Sequence, residues 1–286
     1  MILRHIITRD ILSELEVIRS RYLKNQRKLP KRLKQGMSVN FNSYKDTPLE
    51  LSLFCLMNLN YREFQEYLNF HLELGIKHLQ REFCLESTLK ITILNESFNI
   101  DSTKIKSGTE LFDWWKLFNI ALILRDNQHK NELFNLLSNS VKETKDPFWR
   151  KSIKLISMCN DKIEFETSIL SDIKSIVSSS VVAFHNIEGS KLIKSKEGND
   201  IREKIWLPIM EMYYLAYQKD ANTFNILLEQ YLISKKNWII EKKEEDNSSY
   251  WIDFPLLACC SYAYDNGIVI NVESDYIPDI VYKGGL

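Results

Sequence analysis

Apolar residues along this chain recur mainly at intervals of three and four, the spacing of one face of a helix. Ile11, Leu12, Leu15, Ile18 and Tyr22 predict a first helix over residues 9–24. The basic stretch Lys24–Lys34, broken by Leu29-Pro30, is expected to be a helix end and loop, followed by polar loop at 35–46. Thr47-Pro48-Leu49-Glu50 has the form of a helix start, with Thr47 as cap, Pro48 in the first turn and Glu50 closing a capping box over a helix at 48–58. Phe64, Tyr67, Leu68, His71, Leu72 and Ile76 mark one face of a helix over 61–80. Leu89-Lys90-Ile91-Thr92-Ile93 then alternates with a period of two, as a strand does.

Ser107-Gly108-Thr109-Glu110 opens a region of helix pairs. Glu110–Leu124 is paired with Lys130–Ser138, Pro147–Met158 with Ile163–Ser178, and Ile201–Tyr217 with Ala221–Leu232. The joints are Arg125-Asp126-Asn127, Cys159-Asn160-Asp161 and Gln218-Lys219-Asp220, each placing a polar residue beside Asp. Spacing between pairs varies, so the pattern resembles an irregular helical repeat. Glu188–Asp200 is polar and expected to be an exposed loop. Trp114, Trp115, Phe118, Trp149, Trp206, Tyr213, Tyr214 and Tyr217 are expected to pack between helices. The last helix, capped by Ser248 or Ser249, runs through Ala263 and is buried on most sides. Asn266-Gly267 stops it, and Ile268-Val269-Ile270-Asn271-Val272 is β-branched and suits an extended run.

The expected fold is therefore all-α: an irregular stack of antiparallel helix pairs with one minor β element near 89–93 or 268–272. It is expected as one domain over residues 1–286, with an N-terminal helical part at 1–106 and a helix-pair stack at 107–286. Only 8 Gly and 6 Pro among 286 residues argue against a turn-rich β architecture. No apolar run reaches the roughly 18–20 residues that span a bilayer, and Met1–Ile7 lacks a signal-peptide cleavage site. No membrane contact and a cytoplasmic location are expected.

The five cysteines are Cys55, Cys84, Cys159, Cys259 and Cys260, without C-x-x-C spacing, and are expected as core residues. His71 and His78 lie seven apart on one face without further ligands, so no metal is assigned. Phosphate-loop, dinucleotide, nucleophile-elbow and zincin motifs are absent, which argues against an enzyme; no cofactor is expected. Net charge is zero but unevenly placed. Residues 1–35 hold ten Lys or Arg against Asp10, Glu14 and Glu16, while residues 241–286 hold nine acids against Lys242, Lys243 and Lys283. Either these ends dock on each other or stand solvated, or the acidic end meets a basic partner. The basic 24–34 segment lacks interleaved aromatics, so direct nucleic-acid binding is not expected.

Pro255, Leu256, Leu257, Ala258, Cys259, Ala263, Tyr264, Asp265 and Gly267, then Val272, Glu273, Ser274, Asp275, Tyr276 and Pro278, resemble the C-terminus of the immunity protein 49 family. Those proteins are antidotes in bacterial polymorphic toxin systems. Tyr250-Trp251, Asp253 and Ala258 also resemble a second antidote family, directed at a nuclease-type toxin, but Gly267 and Glu273-Ser274-Asp275 fit the first better. The resemblance implies stoichiometric masking of a cognate toxin domain, with a nuclease among the candidate toxins. A helical scaffold or regulator with another partner stands as the alternative. Glu273, Asp275, Tyr276 and Asp279, where the chain is expected to be exposed, are candidate toxin-facing residues. Asp253 is another, although its place near a helix start also explains it structurally. Pro255, Ala258, Asp265, Gly267, Ser274 and Pro278 are candidate structural positions of the motif. A competing reading makes Glu-Ser-Asp-Tyr a lock on neighbouring backbone.

Overall fold

The computed structural model describes residues 1–35, 42–83, 88–93, 96–101, 110–140, 146–161, 166, 168–179, 181–186 and 189–286. Expectations for Ser107-Gly108-Thr109, Cys84 and the start of the Ile163–Ser178 helix lie outside the described residues. The architecture is all-α with two short antiparallel hairpins. It divides into two compact units, one of Thr8–Asn139 and the other of Met1–Ile7 with Ser140–Gly285.

The first of these units holds α1 (Ile11–Lys34), α2 (Asn42–Met57), α3 (Tyr61–Phe83), the hairpin β1 (Thr88–Ile93) and β2 (Glu96–Asp101), α4 (Glu110–Ile123) and α5 (Asn127–Ser140). Helix α1 runs ten residues beyond the expected end at Lys24 and carries Pro30 inside it. An interior proline removes a ladder hydrogen bond and costs about 3 kcal/mol. Burial of Leu29 and Leu33 offsets that loss at about 1.5–3 kcal/mol per leucine. Both join a cluster with Tyr44, Leu74, Ile91, Ile93 and Phe98, so the hairpin's alternating face closes over α1 and α3. Ile91 stands opposite Phe98 in the register. Helix α2 likewise begins at Asn42, so Thr47 and Pro48 are interior rather than a cap and first turn. His71 is buried and its Nδ1 lies 2.6 Å from the Lys45 carbonyl, which makes it a satisfied core residue as expected. Gly75 permits the close approach of α3 and α4, because a Cβ there would stand 2.3 Å from Leu117 Cδ2.

The other unit holds α6 (Pro147–Asp161), α7 (Ile169–Ser178), the hairpin β3 (Val181–Asn186) and β4 (Gly189–Lys194), and α8 (Lys196–Ile201). A π turn at Arg202–Trp206 leads into α9 (Leu207–Gln218), followed by α10 (Ala221–Lys242), α11 (Phe254–Asp265) and α12 (Asp279–Tyr282). Helix α9 is central and packs on α6, α7, α10 and α11. Strand β4 and helix α8 replace the loop expected over Glu188–Asp200. Ile268–Val272, expected as an extended run, has no regular secondary structure and joins no sheet. Asn225 of α10 holds it instead, donating to the Val269 carbonyl at 2.9 Å and accepting from Asn271 N–H at 2.8 Å.

Three helix joints share one geometry. Leu59, Arg125 and Lys219 adopt left-handed backbone at φ 58°, 55° and 59°. In each joint that residue bonds back three positions and the next bonds back five: Asn60 to Cys55, Asp126 to Ala121 and Asp220 to Leu215. This is the Schellman ending. The same Asn60, Asp126 or Asp220 then caps the following helix, accepting from Glu63, His129 or Thr223 N–H. The polar residue beside Asp that the sequence repeats at Arg125-Asp126 and Lys219-Asp220 is thus one stop-and-start device.

Candidate functional site

The C-terminal motif is built from α11 outward. Asp253, not Ser248 or Ser249, caps this helix: its Oδ1 accepts from Leu256 N–H at 3.0 Å, while Ser248–Tyr250 form a separate 3-10 turn. The carboxylate wins because a charged acceptor suits a helix N-terminus better than a hydroxyl. Pro255 lies in the first turn, where its missing N–H costs little. Leu256 through Ala263 are all buried, Ala258 among them, which leaves no room for larger side chains on any side. Gly267, at φ +87°, ends the helix in a conformation that other residues adopt only under strain.

Asp253 also sits in the centre of a buried polar cluster. Its Oδ2 accepts from Tyr231 OH at 2.7 Å and from Lys235 Nζ at 2.5 Å, and the Lys235 and Asp253 side chains are about 4% and 3% exposed. Lys235 Nζ stands 5.6 Å from the centre of the Tyr276 ring, within cation–π range. The Tyr276 carbonyl accepts from Asp253 N–H at 3.3 Å. So helix cap, buried ion pair and motif tyrosine form one connected group.

The N-terminal segment closes this group from the other side. Ile2 pairs with Ser274 in a parallel bridge; Ile2 N–H donates to the Glu273 carbonyl at 2.8 Å, and Ser274 OH to the Ile2 carbonyl at 2.9 Å. The Arg4 guanidinium donates to the Asp275 carbonyl at 2.7 Å, and Arg4 N–H to Asp275 Oδ2 at 3.3 Å. His5 is buried, with Nδ1 2.8 Å from Tyr276 OH and Nε2 2.9 Å from the Glu245 carbonyl. A carbonyl only accepts, so Nε2 carries the proton, and in the neutral ring Nδ1 accepts from the Tyr276 hydroxyl. That hydroxyl oxygen in turn accepts from His5 N–H at 3.3 Å. Burial holds His5 below the ordinary histidine value and pushes the Tyr276 phenol up.

These contacts decide where the candidate residues stand. Tyr276 was expected to be exposed and is fully buried, because its ring fills the space between Lys235 and His5. Asp253 is buried as well. Glu273, Asp275 and Asp279 are exposed, as is Asp265 at the last residue of α11, where the helix dipole disfavours a carboxylate. Asp279 is paired with Lys283 at 2.8 Å, and this hydrogen bond holds its carboxyl below the usual range. Ser274 ties two stretches of backbone, as above, and Pro278 precedes α12. Sequence reasoning missed Ile2, Arg4, His5, Tyr231, Lys235 and Glu245. The one signal for them was the opposed charge of the two chain ends, which Arg4 and Asp275 realise.

Other chemistry is not assembled among the described residues. Cys55, Cys159, Cys259 and Cys260 are buried thiols, and burial pushes the Cys55 and Cys159 thiols up to about 12, far from reactive thiolates. No group of three or more His, Cys, Asp or Glu among the described residues could hold a metal ion, and no described helix is long and apolar enough to cross a membrane.

Residues 181–280 match the model of a protein family described as Immunity protein 49, the family that the C-terminal motif resembles. No curated protein and no solved structure matches the chain.

Proposed function

We propose that this chain is a cytoplasmic immunity protein that neutralises a cognate polymorphic toxin by binding it one to one and covering its active cleft, without catalysis. The observation that carries this reading is the family match over residues 181–280, which contains the whole locked motif from Asp253 to Pro278. An antidote needs a rigid surface rather than a reactive centre, since a preformed surface loses less freedom on binding. The lock on Asp253 and Tyr276 provides such rigidity from beneath, and their burial leaves recognition to their exposed neighbours.

Glu273, Asp275 and Asp279 form the toxin-facing strip in this reading, with Tyr276 and Asp253 holding it in place. Arg4 beside Asp275 and Lys283 beside Asp279 moderate its negative charge. A nuclease cleft is basic because it holds phosphates, so a toxin of that type would be steered to this strip and shielded from nucleic acid. The test is co-expression with the toxin domain encoded beside this gene. Restored growth together with co-purification supports the reading; a toxin that still kills and does not co-purify refutes it.

A further inference from the structure

Helix α10 carries apolar residues on two faces. Phe224, Leu228, Tyr231, Leu232, Trp238 and Ile239 are buried in its own unit. Ile226, Ile233 and Ile240, spaced seven apart, remain 49%, 46% and 46% exposed. A helix apolar all round is normally buried all round. Apolar residues seven apart keep to one line along a helix and supply one of the two apolar positions of a heptad helix–helix contact. The outer stripe thus has the form of a helix–helix contact with one helix missing.

The residues beside the stripe say which helix fits. At 100° per residue, Glu229 and Lys236 fall on one flank of the isoleucines and Gln230 and Asn237 on the other. At about 1.5 Å per residue, Glu229 lies about 6 Å before Ile233 and Lys236 about 4.5 Å after it. Two copies of α10 packed antiparallel about a two-fold axis at Ile233 keep like flanks together. Glu229 of each copy then meets Lys236 of the other, and Gln230 meets Asn237. Ile233 packs on itself, and Ile226 on Ile240. A parallel two-fold brings unlike flanks together, so Glu229 meets Gln230 and Lys236 meets Asn237, and neither charge finds an opposite partner. We propose that the outer face of α10 is a homodimer interface, formed antiparallel with a second copy of this chain through Ile226, Ile233 and Ile240 and fixed in direction by Glu229–Lys236 pairs.

The test uses the full chain without any toxin, so its outcome is separate from that of neutralisation. Molar mass is followed by light scattering and sedimentation over a dilution series. Wild-type chain is expected to reach the mass of two copies as concentration rises. Ile233→Glu is expected to remain at one copy with an unchanged melt, since the side chain it replaces is half exposed. Glu229→Lys alone gives a seam of lysines and Lys236→Glu alone a seam of glutamates, so each is expected to stay single. Mixed together, these two variants are expected to form a one-to-one heterodimer, and the double variant Glu229→Lys/Lys236→Glu to recover the dimer. A wild type that stays at one copy throughout overturns the proposal, whether the stripe is covered within the chain or reserved for another protein. So does a dimer that both single reversals leave intact.

Discussion

His5 and Tyr276, 271 residues apart in sequence, meet through Nδ1 and the phenolic oxygen at 2.8 Å, with the Tyr276 hydroxyl as donor and the ring's other nitrogen on the Glu245 carbonyl. This contact joins the first residues of the chain to the motif that carries its family likeness. Tyr276→Phe leaves His5 Nδ1 and His5 N–H without that partner in a buried place, at a cost of about 1–3 kcal/mol. The melting temperature of the unit containing residues 140–285 should fall by a few degrees, at about 2–4 °C per kcal/mol for a domain of this size. A melt equal to wild type would contradict the contact.

The same unit depends on the buried pair of Lys235 and Asp253. Asp253→Asn keeps the oxygen that caps α11 but strips Lys235 of its counter-charge. Removing one partner of a buried pair costs about 3–5 kcal/mol. The double variant Asp253→Asn/Lys235→Met removes both charges and should be the more stable of the two. Equilibrium denaturation of both variants measures the difference, and a double variant no better than the single one would refute the pairing.

Acid should loosen both units through histidines held neutral. Burial places His71 at about 4 and holds His5 below 6.5. Each folded value is below the unfolded one, so the unfolded chain binds more protons as the pH falls. The stabilisation is complete above about 6.5 and is lost as the pH drops through the folded value. For His71 the loss between pH 6.5 and 4 is on the order of 3 kcal/mol. Denaturant midpoints at pH 7.5 and 5 should show it, and His71→Gln should flatten the slope for its unit. An unchanged slope in that variant would assign the acid sensitivity elsewhere.

Helix existence was legible in the sequence because its signal is periodic: α3, α4, α6, α9, α10 and α11 follow from the apolar spacing. Boundaries failed where tertiary burial outweighed local signals. Pro30 and Pro48 resemble helix starts or stops, yet Leu29, Leu33 and Tyr44 are buried in a cluster that carries the helices past them. The hairpin β3–β4 was missed although Val181-Val182 and Phe184 suit a strand, because the polar residues that follow resemble a loop. The candidate site was half legible. The motif could be seen, but Tyr276 among short acids resembles surface, and the residues that bury it, His5 and Lys235, are remote in sequence.

Charge reversal at Glu273, Asp275 and Asp279 together separates surface from lock. Exposed ion pairs such as Asp279–Lys283 contribute only about 0–1 kcal/mol, so the melt should fall little. The on-rate for the toxin should slow, most strongly at low salt, because rim charges act on diffusional encounter. A large drop in melt with an unchanged on-rate would place these acids wholly in the lock.

The proposed activity of this chain is neutralisation by stoichiometric binding. Its most direct measurement titrates this chain into the purified toxin domain while toxin activity is followed. Activity should fall linearly and end at one chain per toxin, with both proteins recovered unmodified as a complex. Full inhibition at a small fraction of one equivalent, or full activity at an excess of the chain, would contradict it.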